Sequence, residues 1–124
     1  MTEQMQKWVN ALRSGEYRQT KFRLKEKNKY CCMGVLCDLY YKETGNGEWI
    51  LYSPERWSFR TDESHSKNRT IPPRDVWEWL GVDPEFSEIN QIFGYKNDGE
   101  KRTFEEIADF IENDLEEKWL IDKK

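Results

Sequence analysis

All three cysteines of the chain lie in one short stretch, YCCMGVLCDLYYKETG, residues 30–45, around a single glycine. A thiol at the start of a helix is a candidate nucleophile, because unpaired backbone N–H groups and the helix dipole favour the thiolate. Cys32 holds that position on helical spacing. Nucleophilic catalysis also needs a base held by a third polar group. His65 is the chain's one histidine, and it falls in the polar run TDESHSKNRT, expected to be an exposed loop. Cys32 with His65 is therefore an alternative catalytic pair, and the primary expectation is no catalytic set. Cys31, Cys32 and Cys37 offer thiolates for a metal, but no second Cys pair or His pair completes a tetrahedron. No metal and no cofactor are expected.

The remaining reading is burial, since a free cysteine packs as a small hydrophobe. Cys32 joins Val35, Leu36 and Leu39 at helical spacing, while Cys37 lies with Met33 and Tyr41. Both sides being apolar, this helix is expected to sit centrally. Gly34 would then admit another element at close range, the first or the last helix being expected there.

A second constellation could bind anions. Arg13, Arg18, Lys21, Arg23, Lys25, Lys27 and Lys29 alternate with Tyr17, Phe22 and Tyr30, interleaving cations with stacking rings. Arg13, Tyr17, Arg23, Tyr30 and Asp38 are the expected binding residues for a small anionic, nucleotide-like ligand. No phosphate loop, zinc finger or RNA-binding phrase accompanies them, so nucleic acid ranks behind that ligand and behind a protein partner. Trp77 is out of helical phase with Val76 and Leu80 and is expected to mark a partner interface.

Those residues need elements to hold them. Met5, Trp8, Val9 and Leu12 predict a helix over about 3–14, with Thr2 as N-cap and Gly15 beyond its end. Residues 18–30 fit a short strand or an extended basic arm. Residues 49–52 with Trp57 and Phe59 predict a small hairpin. Pro72 and Pro73 start a short helix ended by Gly81. The following segment, VDPEFSEINQIFGYKNDGE, reads as turns. Thr103 with Glu106 forms a capping box ahead of an apolar stripe of Phe104, Ile107, Ile111, Leu115 and Trp119. The expected fold is α+β: a small single domain over residues 1–124, about four helices with a short antiparallel hairpin element, helices dominant.

At 124 residues the chain suits one core. Aromatics reach 15%, with six tryptophans, against 35% charged residues, so a few large rings must supply most of the buried area. No apolar run reaches membrane-spanning length, and the N-terminus lacks the order of a signal peptide. The net charge of -4 hides a gradient. Residues 7–30 hold eight basic against two acidic residues, and residues 98–122 hold ten acidic against three basic. Such ends can pair within the fold, pair between subunits as in a homodimer, or face different partners.

WVNALRSGEY (8–17), YCCMGVLCDLY (30–40), PPRDVWEWLGV (72–82) and NDGEKRTFEEIADFIE (97–112), in this order, resemble a group of small uncharacterised bacteriophage proteins. Met33 departs from the leucine of that group's cysteine phrase. The resemblance implies an accessory protein acting in a bacterial host cytoplasm, with no reaction attached. The same cysteine stretch also resembles the catalytic helix of NlpC/P60-type amidases, although Cys31 stands where an aspartate is usual. The expectation is thus a non-enzymatic protein that binds and neutralises a host factor, either a host protein or a small anionic ligand. A cysteine-dependent amidase or peptidase using Cys32 is the alternative, and nucleic-acid binding the second.

Overall fold

The computed structural model describes residues 2–61, 64–68, 70–83, 88–115 and 119–120, with the side chains of 64–68 outside the described part. Helix α1 is Glu3–Arg13, followed by strands β1 (Arg18–Gln19), β2 (Lys25–Glu26) and β3 (Lys29–Tyr30). Helix α2 is Cys32–Thr44, and β4 (Glu48–Ser53), β5 (Arg56–Thr61) and β6 (Ser64–Asn68) follow. Helices α3 (Arg74–Leu80) and α4 (Glu88–Gly94), a π-helical turn at Tyr95–Gly99, and α5 (Phe104–Asn113) complete the order. The architecture is α+β, as expected. It holds five α-helices and a mixed six-stranded sheet among the described residues, where about four helices and one hairpin were expected. No helix among them is long and apolar enough to cross a membrane.

Local chemistry accounts for the helix ends. Thr2 caps α1 by accepting from Met5 N–H at 3.0 Å, and its hydroxyl donates to the Leu80 carbonyl at 2.8 Å, tying α1 to the end of α3. Thr103 and Glu106 form the expected capping box on α5. Gly45 and Gly81 close α2 and α3 in the left-handed conformation.

The core forms where α1 crosses the helices around it. Trp8 is fully buried, its indole N–H donating to the Cys32 carbonyl at 3.0 Å. Its ring meets Phe93 of α4 at 5.0 Å and Trp77 of α3 at 6.1 Å. Removing a ring so placed costs about 3–5 kcal/mol. Trp77 is 2% exposed and donates to Asn90 Oδ1 at 2.9 Å, which corrects the expectation of an interface residue. Helical phase turns it away from Val76 and Leu80, but α4 covers that flank of α3 as well.

The sheet runs β1-β3-β2-β5-β4, with β6 also on β5. β1 and β3 are parallel and the other pairs antiparallel. The basic segment 18–30 thus supplies three two-residue strands. β6 corrects the loop expected over TDESHSKNRT at residues 64–68, because its backbone pairs with β5 without an apolar alternation; residues 62, 63 and 69, and the exposure of the run from 62 to 69, lie outside the described part. The turn-rich reading of 82–100 is also corrected over 88–99, while 84–87 lie outside the described residues. Ile89 and Phe93, four apart, anchor α4, and Asn97-Asp98-Gly99 lies in the π-helical turn. Helix α5 stops at Asn113, so the apolar stripe does not continue as helix to Trp119. Trp119 is instead buried beside α4, its indole N–H donating to Glu88 Oε1 at 2.9 Å.

Asn97 binds three parts of the chain together. Its Oδ1 accepts from Cys32 N–H at 3.2 Å and from Gln19 Nε2 at 2.8 Å. Its Nδ2 donates to the Thr20 carbonyl and to Asp98 Oδ1, both at 2.8 Å. At 1% exposure, a buried amide so completely used leaves none of its hydrogen-bonding capacity unmet.

Candidate functional site

Helix α2 reaches the sheet because it begins directly after β3 and because Gly34 lets it close in. A Cβ on Gly34 would stand 1.9 Å from the Leu24 carbonyl oxygen. The close neighbour is therefore the chain entering β2, not α1 or the last helix as the sequence suggested. This approach brings Asp38, one turn further along α2, against the tyrosines and β4.

Asp38 is 6% exposed and accepts from three directions. Tyr17 Oη donates at 2.6 Å, Trp49 Nε1 at 3.0 Å, and Lys42 Nζ pairs with it at 3.2 Å. Lys42 also donates to Tyr17 Oη at 3.3 Å. Tyr17 and Tyr30 meet edge to face at 5.0 Å, and Tyr30 meets Trp49 at 6.0 Å. A buried carboxylate with a neutral donor on each oxygen and an ammonium on Oδ2 is a fixed negative centre, which organises the groups around it.

Beside it the strand register builds a row. Tyr30 pairs Lys25, Lys25 pairs Trp57, and Trp57 pairs Leu51, so β3, β2, β5 and β4 present these four side chains on one face. The Lys25 ammonium lies 4.7 Å from the Trp57 ring centroid, 5.1 Å from Tyr30 and 5.3 Å from Trp49. These are cation–π distances. The opposite face carries the ion pairs Arg56–Glu26 and Arg60–Glu48. Leu51, at the end of the row, is 53% exposed, so the row opens to solvent there.

Burial sets the protonation of this cluster. It raises the Tyr17 phenol, and the hydrogen bond to Asp38 raises it further. Burial and the Asp38 charge push Tyr30 up to about 12. Lys25 is lowered, chiefly by burial, with Asp38 opposing and Lys42 reinforcing the shift. Both phenols keep their protons near neutrality. The cluster therefore offers donors, two ammonium groups and ring faces, which suits binding better than proton transfer.

The structure brings together Tyr17, Tyr30 and Asp38 of the expected ligand residues. Arg13 is elsewhere: its guanidinium pairs with Glu105, Asp109 and Glu112 of α5 at 3.2, 2.5 and 2.8 Å. That contact corrects its assignment to a ligand site. Arg23 lies in the turn before β2, partly buried, with its Nε buried and unpaired. Lys42, Trp49 and Trp57 were missed, and Lys25 was named in the basic run but not among the expected binding residues. Lys42 stands four residues after Asp38, a helical signal that was available. The other three depend on strand register, which no local spacing reveals.

The cysteines are covered. Cys31 caps α2, its sulfur accepting from Gly34 N–H at 3.4 Å, and Cys32 Sγ donates to the Phe93 carbonyl at 3.7 Å. Burial pushes Cys31 up to about 12 and holds Cys32 and Cys37 well above the usual thiol range. A thiol so placed is a poor nucleophile. His65 is on β6, and its side chain lies outside the described part. Among the described residues no group of three His, Cys, Asp or Glu side chains could hold a metal ion.

The family model described as "Domain of unknown function (DUF8296)" matches residues 1–115. No curated protein and no solved structure matches the chain.

Proposed function

Because the chain belongs to this domain-of-unknown-function family over residues 1–115, whose description supplies no reaction, we propose a function from the Asp38 cluster: a non-enzymatic, phage-encoded accessory protein that binds and neutralises a host factor. The factor is a small anionic, nucleotide-like ligand of the bacterial cytoplasm. The observation that carries this reading is the convergence of Tyr17, Tyr30, Trp49, Lys25 and Lys42 around one buried carboxylate. Stacking faces and cations side by side suit a compact ring-bearing anion. The amidase alternative is disfavoured by the coverage of Cys32, which is fully buried and bonded to the Phe93 carbonyl.

A protein partner is the second reading. It is favoured by Phe22 and Tyr95, exposed at 61% and 64%. Phe22 holds a φ of 68°, rare for a bulky side chain, with its N–H on Asp98 Oδ1 at 2.9 Å. A solvent-facing ring kept in a strained conformation fits a recognition role.

Native mass spectrometry of the protein purified from a bacterial host tests the first reading. The expected result is a small-molecule adduct on the wild type that is lost in Asp38→Asn, with both proteins folded by circular dichroism. A bare wild-type mass, or an adduct indifferent to Asp38, would overturn it.

A further inference from the structure

The Lys25 ammonium stands apart from the other cations of this site in how it is held. Three ring faces, those of Tyr30, Trp49 and Trp57, approach it within 5.3 Å. Among the described residues no hydrogen bond or ion pair uses its three N–H donors. Asp38, the nearby carboxylate, already accepts from Tyr17, Trp49 and Lys42. The cage thus fixes and partly desolvates a positive charge while leaving its directional bonds unspent. Ring faces attract a cation without satisfying its donors, so an oxyanion meeting it gains charge-assisted hydrogen bonds at little cost in side-chain ordering.

The surroundings narrow the anion. Next to Lys25 in the row stands the Trp57 indole, then Leu51, the exposed end. An aromatic or apolar face on the ligand has that surface to lie on. Lys42 lies across the cluster on α2, its charge shared between Asp38 and Tyr17. One unspent ammonium with one already engaged suits a compact phosphate monoester better than a polyphosphate, which would call for several uncommitted cations or a metal.

We infer that Lys25 is the anion-reading residue of the site and that the ligand class is a phosphate monoester carrying a planar ring, as in a nucleoside monophosphate, with the phosphate on Lys25 and the ring against Trp57 and Leu51. This rests on the ligand-binding reading above and specifies its chemistry. Arginine cannot reproduce the cage fit but keeps the charge, whereas methionine keeps the aliphatic stem and loses it.

Titration calorimetry at low salt, with adenosine 5′-monophosphate, adenosine and ribose 5-phosphate as probes, tests the inference. The wild type is expected to bind the monophosphate about tenfold or more tighter than either fragment, the size of one charge-assisted hydrogen bond. Lys25→Met is expected to bind the monophosphate no better than adenosine, and Lys25→Arg to recover part of the difference. Equal affinity for monophosphate and adenosine in the wild type, or an undiminished phosphate gain in Lys25→Met, would overturn the inference. So would the absence of binding by all three probes. In that last case the broader reading still stands or falls separately, on whether an Asp38-dependent adduct accompanies protein from the bacterial host.

Discussion

The N–H of Gly34 donates to the Cys31 sulfur, a contact that favours the thiolate, yet the full burial of that sulfur outweighs it and drives the thiol up to about 12 from 9.0. Below pH 9 the thiol is protonated folded or unfolded, and its protonated form contributes its full stability. Above pH 9 the unfolded chain loses the proton first, so stability falls as pH rises from 9 through about 12. By pH 11 the loss is about 2–3 kcal/mol for Cys31 alone. Cys31→Ser keeps an acceptor at the cap and removes this titration. Urea unfolding at pH 8 and pH 11 is expected to show a shallower alkaline loss in the variant, and equal slopes would refute the burial argument. Thiol-reactive dyes at pH 8 are expected to label the native protein only as fast as it unfolds.

Helix α2 shows what one missing side chain permits. Gly34→Ala would place a methyl group 1.9 Å from a backbone carbonyl, an obstacle that no rotamer change relieves. Its expected cost is about 3 kcal/mol or more, read as a fall in the denaturant midpoint. Gly94→Ala in α4 is the control. There the nearest neighbour of the added atom is Met33 Cε at 3.9 Å, an ordinary contact, so the midpoint is expected to hold or rise. Equal losses at the two glycines would mean that Leu24 does not press on α2. The special role of Gly34 was legible in the sequence, as were the caps of α1 and α5, because these are local. Leu24 as its neighbour was not, since a β-strand edge and a helix face can equally meet a glycine. Tyr17, Tyr30 and Asp38 were legible as residue types that bind. Their partners Trp49, Trp57 and Lys25 were hidden, because a slip of one residue in register would send each to the opposite face.

Across the molecule, the opposite charges of the two ends resolve partly inside the fold. Arg13 at the end of α1 meets three carboxylates of α5, so a share of the positive charge suggested for ligands or nucleic acid is spent on packing two helices together. These groups are solvent-facing enough for salt to screen them. Arg13→Glu is expected to lower the thermal midpoint, and the gap from wild type should narrow in high salt. Adding Asp109→Arg to that variant should restore part of the loss. A gap unaffected by salt would show that the guanidinium stabilises through its packed stem instead.

Asn97 has a consequence in time. Its amide is the partner of Cys32 N–H, 65 residues earlier in the chain. During synthesis that interval takes about 3–13 s at ordinary elongation rates. Throughout it, the start of α2 and the Gln19–Thr20 segment must wait on the ribosome without the side chain that joins them. The Asp38 cluster is therefore assembled late: its tyrosines and Asp38 are made early, but the brace behind them arrives only with the C-terminal quarter of the chain.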